Sequence, residues 1–480
     1  MNEPHAPVFF GGQYHLFYQQ NVQGPYWHNI QWGHQVSKDL VHWRDVPAAL
    51  SPSFGTAAPD GVWSGSAFKT ATGEPLLFFT AGDDSVHPNQ SMAIARAYDW
   101  QHDTDLKEWQ MPKSISLGQK EKLEVGKNLK VKFGDFRDPF VWREGATWFA
   151  LVGSGVQTLE GKDVGGTALL YSSSDLAFWN YRGTLMTGNA AKFLATGQVW
   201  ELPVFLPIGK NTKGQQKYVF MVNPAFAAPS PYQIKYVWYW IGSWDAKQAK
   251  FQPDQLEPKL FDYGEHFTGP SGLRDEQGRT IIFSIAQDKR SEQDHYDAGW
   301  AHNAGLPLQV FLNAQNDLGV KPIKETQNLR NKKLLELQNT NITAANAALK
   351  NIQGNQLEIE LEISLPKTQT GLCVLCSPDK KEATLVAFDP SNKNILIDRS
   401  NSSLSRNLGV QGGVLPMLGK SLKWRVFLDK SMIEAYVNDS KAITSRAYPT
   451  QPNAKGIQLF GDARVTVRSL KVWSMGSAYK

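Results

Sequence analysis

Two cysteines in 480 residues cannot build a disulfide framework, and no second pair exists to complete a zinc site. They lie three apart, as Cys373 and Cys376 in GLCVLCSP, with apolar flanks that read as a strand. Residues three apart on a regular strand point to opposite faces, so a bond between them is not expected and both read as buried, inert thiols. Long apolar runs are missing too: nothing approaches the ~18–20 residues of a membrane-spanning helix, and no membrane insertion is expected. Strong charge of one sign is also missing. Lys and Arg number 50 against 45 Asp and Glu, a formal net charge of +5 without a basic run, and no nucleic-acid partner is expected. There is no G-x-x-x-x-G-K-S/T, no strand–G-x-G-x-x-G–helix unit and no G-x-S-x-G elbow. His5, His15, His28, His34 and His42 crowd the start of the chain, but none forms an H-x-x-x-H pair beside a matching acid. His28 and His34 read as hydrogen-bonded loop residues, and no metal is expected. The chain opens inside a patterned region with no visible signal peptide.

What is present is apolar and aromatic. Hydrophobic residues make up 41% and charged residues 20%, ordinary for a chain that buries a large core, and the length allows two or three domains. Aromatics reach 11%, with 16 Trp. Most of these are expected to pack on sheets, while flat faces left over suit the C–H faces of sugars.

One pattern recurs. It stands as SKDLVHW (37–43), DTDLKEW (103–109) and SSDLAFW (173–179), with a weaker echo in GSWDAKQAKF (242–251). Asp39, Asp105, Asp175 and Asp245 are spaced 66, 70 and 70 residues apart, a regularity that signals a repeat. Between these marks lie short runs rich in β-branched and aromatic residues, such as PLLFFTAG, TWFALVGSG, KYVFMVN and TIIFSIAQ, punctuated by Gly, Asn, Asp and Pro. Helical periodicity is nearly absent. A unit of about 70 residues with several strands fits one blade of a β-propeller, so residues 1–325 are expected to hold five blades. A β-sandwich with coincidental D-L-x-x-W turns is the rival. Residues 326–355, richer in Ala, Leu and polar residues, read as a connector with helical character. Alternation returns at QLEIELEISL, and residues 356–480 are expected to form a β-sandwich, giving an all-β protein.

Three carboxylates stand next to proline or one residue before it, near strand-like runs, in different repeat units: Glu3 in MNEP, Asp138 in DFRDPF and Glu201 in QVWELPVF. A single such pair is ordinarily a turn. Equivalent positions of successive blades, however, converge on one axial pocket. There, three carboxylates suit glycoside hydrolysis: one attacks the anomeric carbon, one protonates the leaving oxygen, and one holds ring hydroxyls. The acid is expected to carry a raised pKa from burial and like-charged neighbours. Two carboxylates and water suffice, so no cofactor is expected.

These stretches resemble glycoside hydrolase family 32, the fructan-active enzymes that include invertases, inulinases and levanases. MNEP resembles the family's W-M-N-D-P-N-G, and YHLFYQQN and WHNIQWGHQVSKDLVHW resemble the family's next stretch of chain. VWSGSA, FRDPF and WELP resemble its F/W-S-G-S, R-D-P and E-C-P motifs. FDYGEHF, AGWAHNAGLP and FLDKSMIEAYVND resemble later ones, so the likeness covers nearly the whole chain. The resemblance implies a five-bladed propeller with a β-sandwich and a retaining mechanism. It implies Glu3 as nucleophile, Glu201 as general acid/base, Asp138 as transition-state stabiliser, and Arg137 as the residue that orients the site. Asn2, Gln19, Trp27, Trp63 and Ser64 match positions that line the fructose pocket.

Three departures shape the expected specificity. Glu3 replaces the aspartate of most members and is one methylene longer, a variant that resembles endo-acting inulinases. Pro4-His5-Ala6 replaces P-N-G, which is read as an altered rim. Leu202 replaces the cysteine of E-C, read as neutral packing. The first two point to internal cleavage of a fructan polysaccharide, levan (β-2,6) ahead of inulin (β-2,1). Fructosyl transfer, exo-cleavage and non-catalytic fructan binding are the alternatives. Secretion is expected from the size of the substrate. A native extension carrying the Trp that precedes Met in the family motif is expected to raise activity by holding Glu3 more firmly.

Overall fold

The molecule is described from a computed structural model, which defines all residues except 127, 228–229, 231–235, 417–418 and 480. It divides into two units. One comprises Met1–Leu260, Thr268–Leu318 and Tyr479, the other Phe261–Phe267 and Gly319–Ala478.

The first unit is built from antiparallel strands that follow one another in the sheet as they do in the chain. Asn2–Phe10 and Gln13–Gln20 form a hairpin through Gly11 and Gly12, whose φ values of 58° and 79° suit the mirror-image turn that right-twisted strands prefer. Gln31–Ser37 and Arg44–Leu50 complete that sheet. The next holds Gly61–Lys69, Pro75–Gly82, Gln90–Ala97 and Trp109–Gln110. PLLFFTAG is the wholly buried second strand of this sheet, which explains its unbroken apolar run. A ten-stranded sheet contains two further runs: one from Arg137–Glu144 to Asn180–Thr187, and one from Val199–Lys210 to Lys250–Pro253. A single pair, Gly155 with Val199, joins these two runs. A last sheet starts with Phe267–Arg274 and Thr280–Ala286. Four sheets thus carry the strands of this β-propeller among the described residues, because two runs share one sheet.

The D-L-x-x-W signature is the turn between third and fourth strands of a run. Asp39 Oδ1 accepts from the N–H groups of Val41 (3.2 Å) and His42 (2.9 Å), and Asp175 Oδ1 from those of Ala177 (2.9 Å) and Phe178 (3.0 Å). Each following leucine, Leu40, Leu106 and Leu176, takes a left-handed φ (67°, 51°, 67°) and buries its side chain. The indoles of Trp43 and Trp109 donate back to the leucine carbonyls, at 3.0 and 2.8 Å. In DTDLKEW the acceptor is Asp103 instead of Asp105, which pairs with Arg44. His34 lies in the strand Gln31–Ser37, not in a loop, where its Nε2 bonds His15 Nδ1 at 2.9 Å.

The second unit is a β-sandwich of a six-stranded and a five-stranded sheet. The alternating Leu357, Ile359, Leu361 and Ile363 enter its core with Leu372, Val374, Val386, Ile395, Val426 and Val472. Residues 326–355 include the strand Arg330–Asn341, paired with Thr466–Met475, and the helix Ile342–Leu349, capped by Asn341 Oδ1 accepting from Ala344 N–H at 2.9 Å.

The cysteines depart from expectation. Cys373 and Cys376 form a disulfide across a Cα–Cα distance of 6.3 Å. The strand Thr370–Cys376 is not regular: Leu375 has φ 52°, and three residues of this strand span two of Gly456–Phe460. That bulge breaks the period of two on which opposite-facing side chains depended.

Candidate active site

Four strands open a run of the propeller and carry the same irregularity. In Asn2–Phe10, Arg137–Glu144, Val199–Lys210 and Phe267–Arg274, a residue of positive φ precedes proline: Glu3 (26°), Asp138 (60°), Leu202 (51°) and Gly269 (61°). Pairing slips at Asn2/Pro4, Arg137/Phe140 and Glu201/Val204. Gly61–Lys69, which has no proline, slips between Trp63 and Gly65. Proline donates no N–H, so the ladder opens there, and the bulge turns the preceding residue out of strand alternation. The five strands line one pocket containing Glu3, His5, Asp138, Leu202 and Gly269. Left-handed backbone at non-glycine residues is strain, and such strain gathers at functional sites.

Glu3 is held by a chain of donors. Ser64 Oγ donates to Glu3 Oε2 and accepts from Gln19 Nε2 at 2.7 Å. Gln19 Oε1 in turn accepts from Asn2 Nδ2 (3.0 Å) and Trp27 Nε1 (3.3 Å). Trp27 is 59% exposed, and its ring lies 6.0 Å from that of Trp63. Asp138 Oδ2 accepts from Leu202 N–H at 3.0 Å, and Arg137 Nε and Nη2 donate to Glu201 Oε1 at 3.1 and 3.0 Å. Arg137 Nη1 also reaches Asp135 Oδ1 (2.8 Å) and Gln90 Oε1 (3.3 Å). Of the nine residues singled out from the sequence, Glu3 and Asp138 line the pocket, Asn2, Gln19, Trp27 and Ser64 belong to the hydrogen-bond chain of Glu3 with Trp63 beside Trp27, and Arg137 holds Glu201.

The electrostatics follow from burial and crowding. Burial, the charge of Asp138 and then that of Glu201 push the Glu3 carboxyl up to about 8, against the pull of Ser64 and Arg137. Burial and the charge of Glu201 push Asp138 up to about 7, opposed by Arg137 and the Leu202 N–H. Burial works against the charge on Arg137, but Glu201, Asp138 and Asp135 more than offset it and hold the guanidinium protonated. A raised carboxyl was expected on the general acid; burial and crowding raise those of Glu3 and Asp138.

Several supports have no signature in the sequence. Thr80 Oγ1 accepts from Asp138 N–H at 2.7 Å and donates to the Ser64 carbonyl at 3.0 Å, tying the two halves of the site together. Ser271 Oγ donates to the Pro4 carbonyl at 2.7 Å. His5 is fully buried, its ring 4.1 Å from that of Trp32, and burial holds it neutral, down to about 3. Only the distance between strands in sequence hid these contacts; Thr and Ser are common on sheets.

Comparison with known proteins gives a concordant result. Residues 1–322 match the model of the glycosyl hydrolases family 32 N-terminal domain, and residues 325–474 that of the family 32 C-terminal region. A sucrose-6-phosphate hydrolase of Zymomonas mobilis is 30% identical, over all of this chain and 90% of its own length. A fructan 6-exohydrolase of Beta vulgaris is 28% identical, over all of this chain and 85% of its own length. Among solved structures, fructan 1-exohydrolase IIa of Cichorium intybus superposes with a TM-score of 0.85 at 23% identity, covering 100% of this chain and 96% of that one. Matches of both family models, end to end, place the protein in glycoside hydrolase family 32.

Proposed function

We propose that the protein hydrolyses β-fructofuranosidic bonds with retention of configuration, Glu3 acting as nucleophile and Glu201 as general acid/base. The observation that carries this is the meeting of three separate strands at one site: Glu3 and Asp138 line one pocket, Arg137 beside Asp138 holds Glu201 Oε1 at 3.0 Å, and the charge of Glu201 acts on both Glu3 and Asp138. Glu3 attacks the anomeric carbon while Glu201 gives its proton to the departing glycosidic oxygen. Glu201 then takes a proton from water, which attacks the glycosyl-enzyme bond and frees Glu3. Charge on Glu3 is favoured by the Ser64 hydroxyl, which donates to it. The pocket's low dielectric and its three acids favour keeping a proton in the cluster, and turnover requires that proton on Glu201. Asp138, fixed by Leu202 N–H, is placed to accept from fructose hydroxyls and favour the oxocarbenium-like state. Glu201 has a side chain 36% exposed, on the side from which leaving group and water come and go.

The substrate is a fructose-containing carbohydrate, and cleavage of the terminal fructose is the favoured mode. The sequence expectation was internal cleavage of levan, through an altered rim at His5 and Ala6. Both residues are buried, at 1% and 0% exposure, and His5 packs beneath Ser64 and Trp32, so the rim is not changed by them. The similar proteins carry names of sucrose-6-phosphate hydrolase, exohydrolase and β-fructofuranosidase. Glu3 alone then favours internal cleavage. A location outside the cell follows only if a polymer is the substrate.

Early products from sucrose, levan and inulin, compared on purified protein, test this. Free fructose from the start is expected; a ladder of short fructo-oligosaccharides restores the endo-acting levanase or inulinase, and lengthened sugars indicate transfer. Glu201→Gln is expected to lose at least ~10³-fold in turnover with sugar binding kept. Sugar binding by a wild-type protein that turns nothing over would instead mark a non-catalytic fructan-binding protein.

A further inference from the structure

Four residues occupy the left-handed position before proline at the pocket, and three of them carry side chains: Glu3, Asp138 and Leu202. The fourth is Gly269. We infer that Gly269 is a positioning residue, the cavity that lets a glutamate serve where one methylene fewer is the family pattern. This rests on Glu3 being the nucleophile.

The geometry is local and specific. A Cβ added at residue 269 would lie 2.9 Å from Glu3 Cγ and 3.6 Å from its Cα and Cβ. Ordinary contact begins near 3.4 Å, so one of the two must move. Glu3 Cγ is the spare methylene. The Glu3 carboxylate must still reach Ser64 Oγ, so the longer chain has to bow sideways, and it bows over the bare Cα of Gly269. The two strands are tied beside the contact, where Ser271 Oγ donates to the Pro4 carbonyl at 2.7 Å, and Thr268, next to Gly269, is anchored from the other neighbouring run by Asn223 Nδ2 at 2.9 Å to its Oγ1. A methyl group at 269 therefore displaces the Glu3 side chain, and with it the attacking oxygen. An aspartate at position 3 has no spare methylene to bow and takes its carboxylate to Ser64 directly.

The test is a double-mutant cycle on kcat with the full chain. Gly269→Ala is expected to lower kcat about 10- to 100-fold in the presence of Glu3, the loss that a misplacement of up to ~1 Å brings. In the Glu3→Asp background the same change is expected to alter kcat less than about threefold. Strain from φ alone would act equally on both backgrounds and lower the unfolding temperature without this coupling. Equal losses on both backgrounds, or no loss with Glu3, overturn the inference. Should Gly269→Ala not fold, Glu3→Asp is expected to restore folding, and failure of the double variant also overturns it. Glu3→Gln is the separate control: turnover surviving that change sinks the nucleophile assignment itself, whatever the cycle returns.

Discussion

Arg137 makes four side-chain hydrogen bonds to three neighbours. One guanidinium meets Glu201 Oε1 through Nε and Nη2, and Asp135 and Gln90 through Nη1. The fork is rigid and planar, so fixing one edge fixes the other, and Glu201 inherits its orientation from Asp135 and Gln90 on the far side. A lysine has a single charged nitrogen on a flexible stem and cannot hold the three at once. Arg137→Lys is therefore expected to keep the fold and the positive charge while lowering kcat about 10²-fold, with a smaller change in KM. Steady-state kinetics on a terminal fructoside check this. An effect mostly on KM would show instead that Arg137 binds the sugar. Gln90→Leu, which removes one far-side acceptor, is expected to reproduce a part of the loss.

At the scale of elements, the repeat separates stability from chemistry. The D-L-x-x-W turns and the bulged strands lie in different parts of each run, and only the latter line the pocket. In the first turn Asp39 accepts two backbone N–H groups and the His42 ring at 2.8 Å. Asp39→Ala leaves those donors to water and is expected to cost about 1–2 kcal/mol of stability with kcat unchanged. Thermal unfolding beside an activity assay decides it; a kcat loss would mean that the turn reaches the pocket. The same division explains what could be read from sequence. The turns were legible because Asp, Leu and Trp recur at fixed offsets. The carboxylates were legible because each stands one or two residues ahead of a proline in a strand-like run. Gly269, Thr80 and Ser271 were not, because a bare glycine and two hydroxyls declare no chemistry until folding sets them against Glu3, Ser64 and Pro4. The bulge at Leu375 was likewise silent, and with it the Cys373–Cys376 bond: no residue there requires a left-handed φ, so the packing of the sandwich must impose it. His5 was misplaced on the rim because adjacency to Glu3 in sequence says nothing of which way a strand faces after a bulge.

On the scale of the whole molecule, five strands spread over residues 2–274 are closed around buried acids, and that arrangement works against folding. Unfolded, Glu3 and Asp138 titrate near 4.5 and 3.8; folded, they are pushed up to about 8 and about 7. Between pH 4 and pH 8 the folded chain then binds more protons than the unfolded one. Stability from these groups is full below pH 4 and is lost as the pH rises through 7 to 8, each carboxyl contributing a slope of about 1.4 kcal/mol per pH unit between its unfolded and folded values. Other acids of the chain are held low and pull the opposite way, so the contribution shows in a difference between variants and not in the wild-type profile alone. Glu3→Gln keeps the shape and an oxygen for Ser64 while removing the charge. It is expected to unfold at the same temperature as wild type at pH 4 and a few degrees above it at pH 8, while losing catalysis. The two unfolding curves, taken across pH 4–9, must diverge upward in that window. Parallel curves would mean that Glu3 is ionised at little cost in the folded protein, and that the pocket is far better solvated than its buried carboxylates require. Divergence would identify the price of the active site as a property of the closed propeller, since burial among its strands, and then the charges of Asp138 and Glu201 from strands of other runs, raise the carboxyl of Glu3.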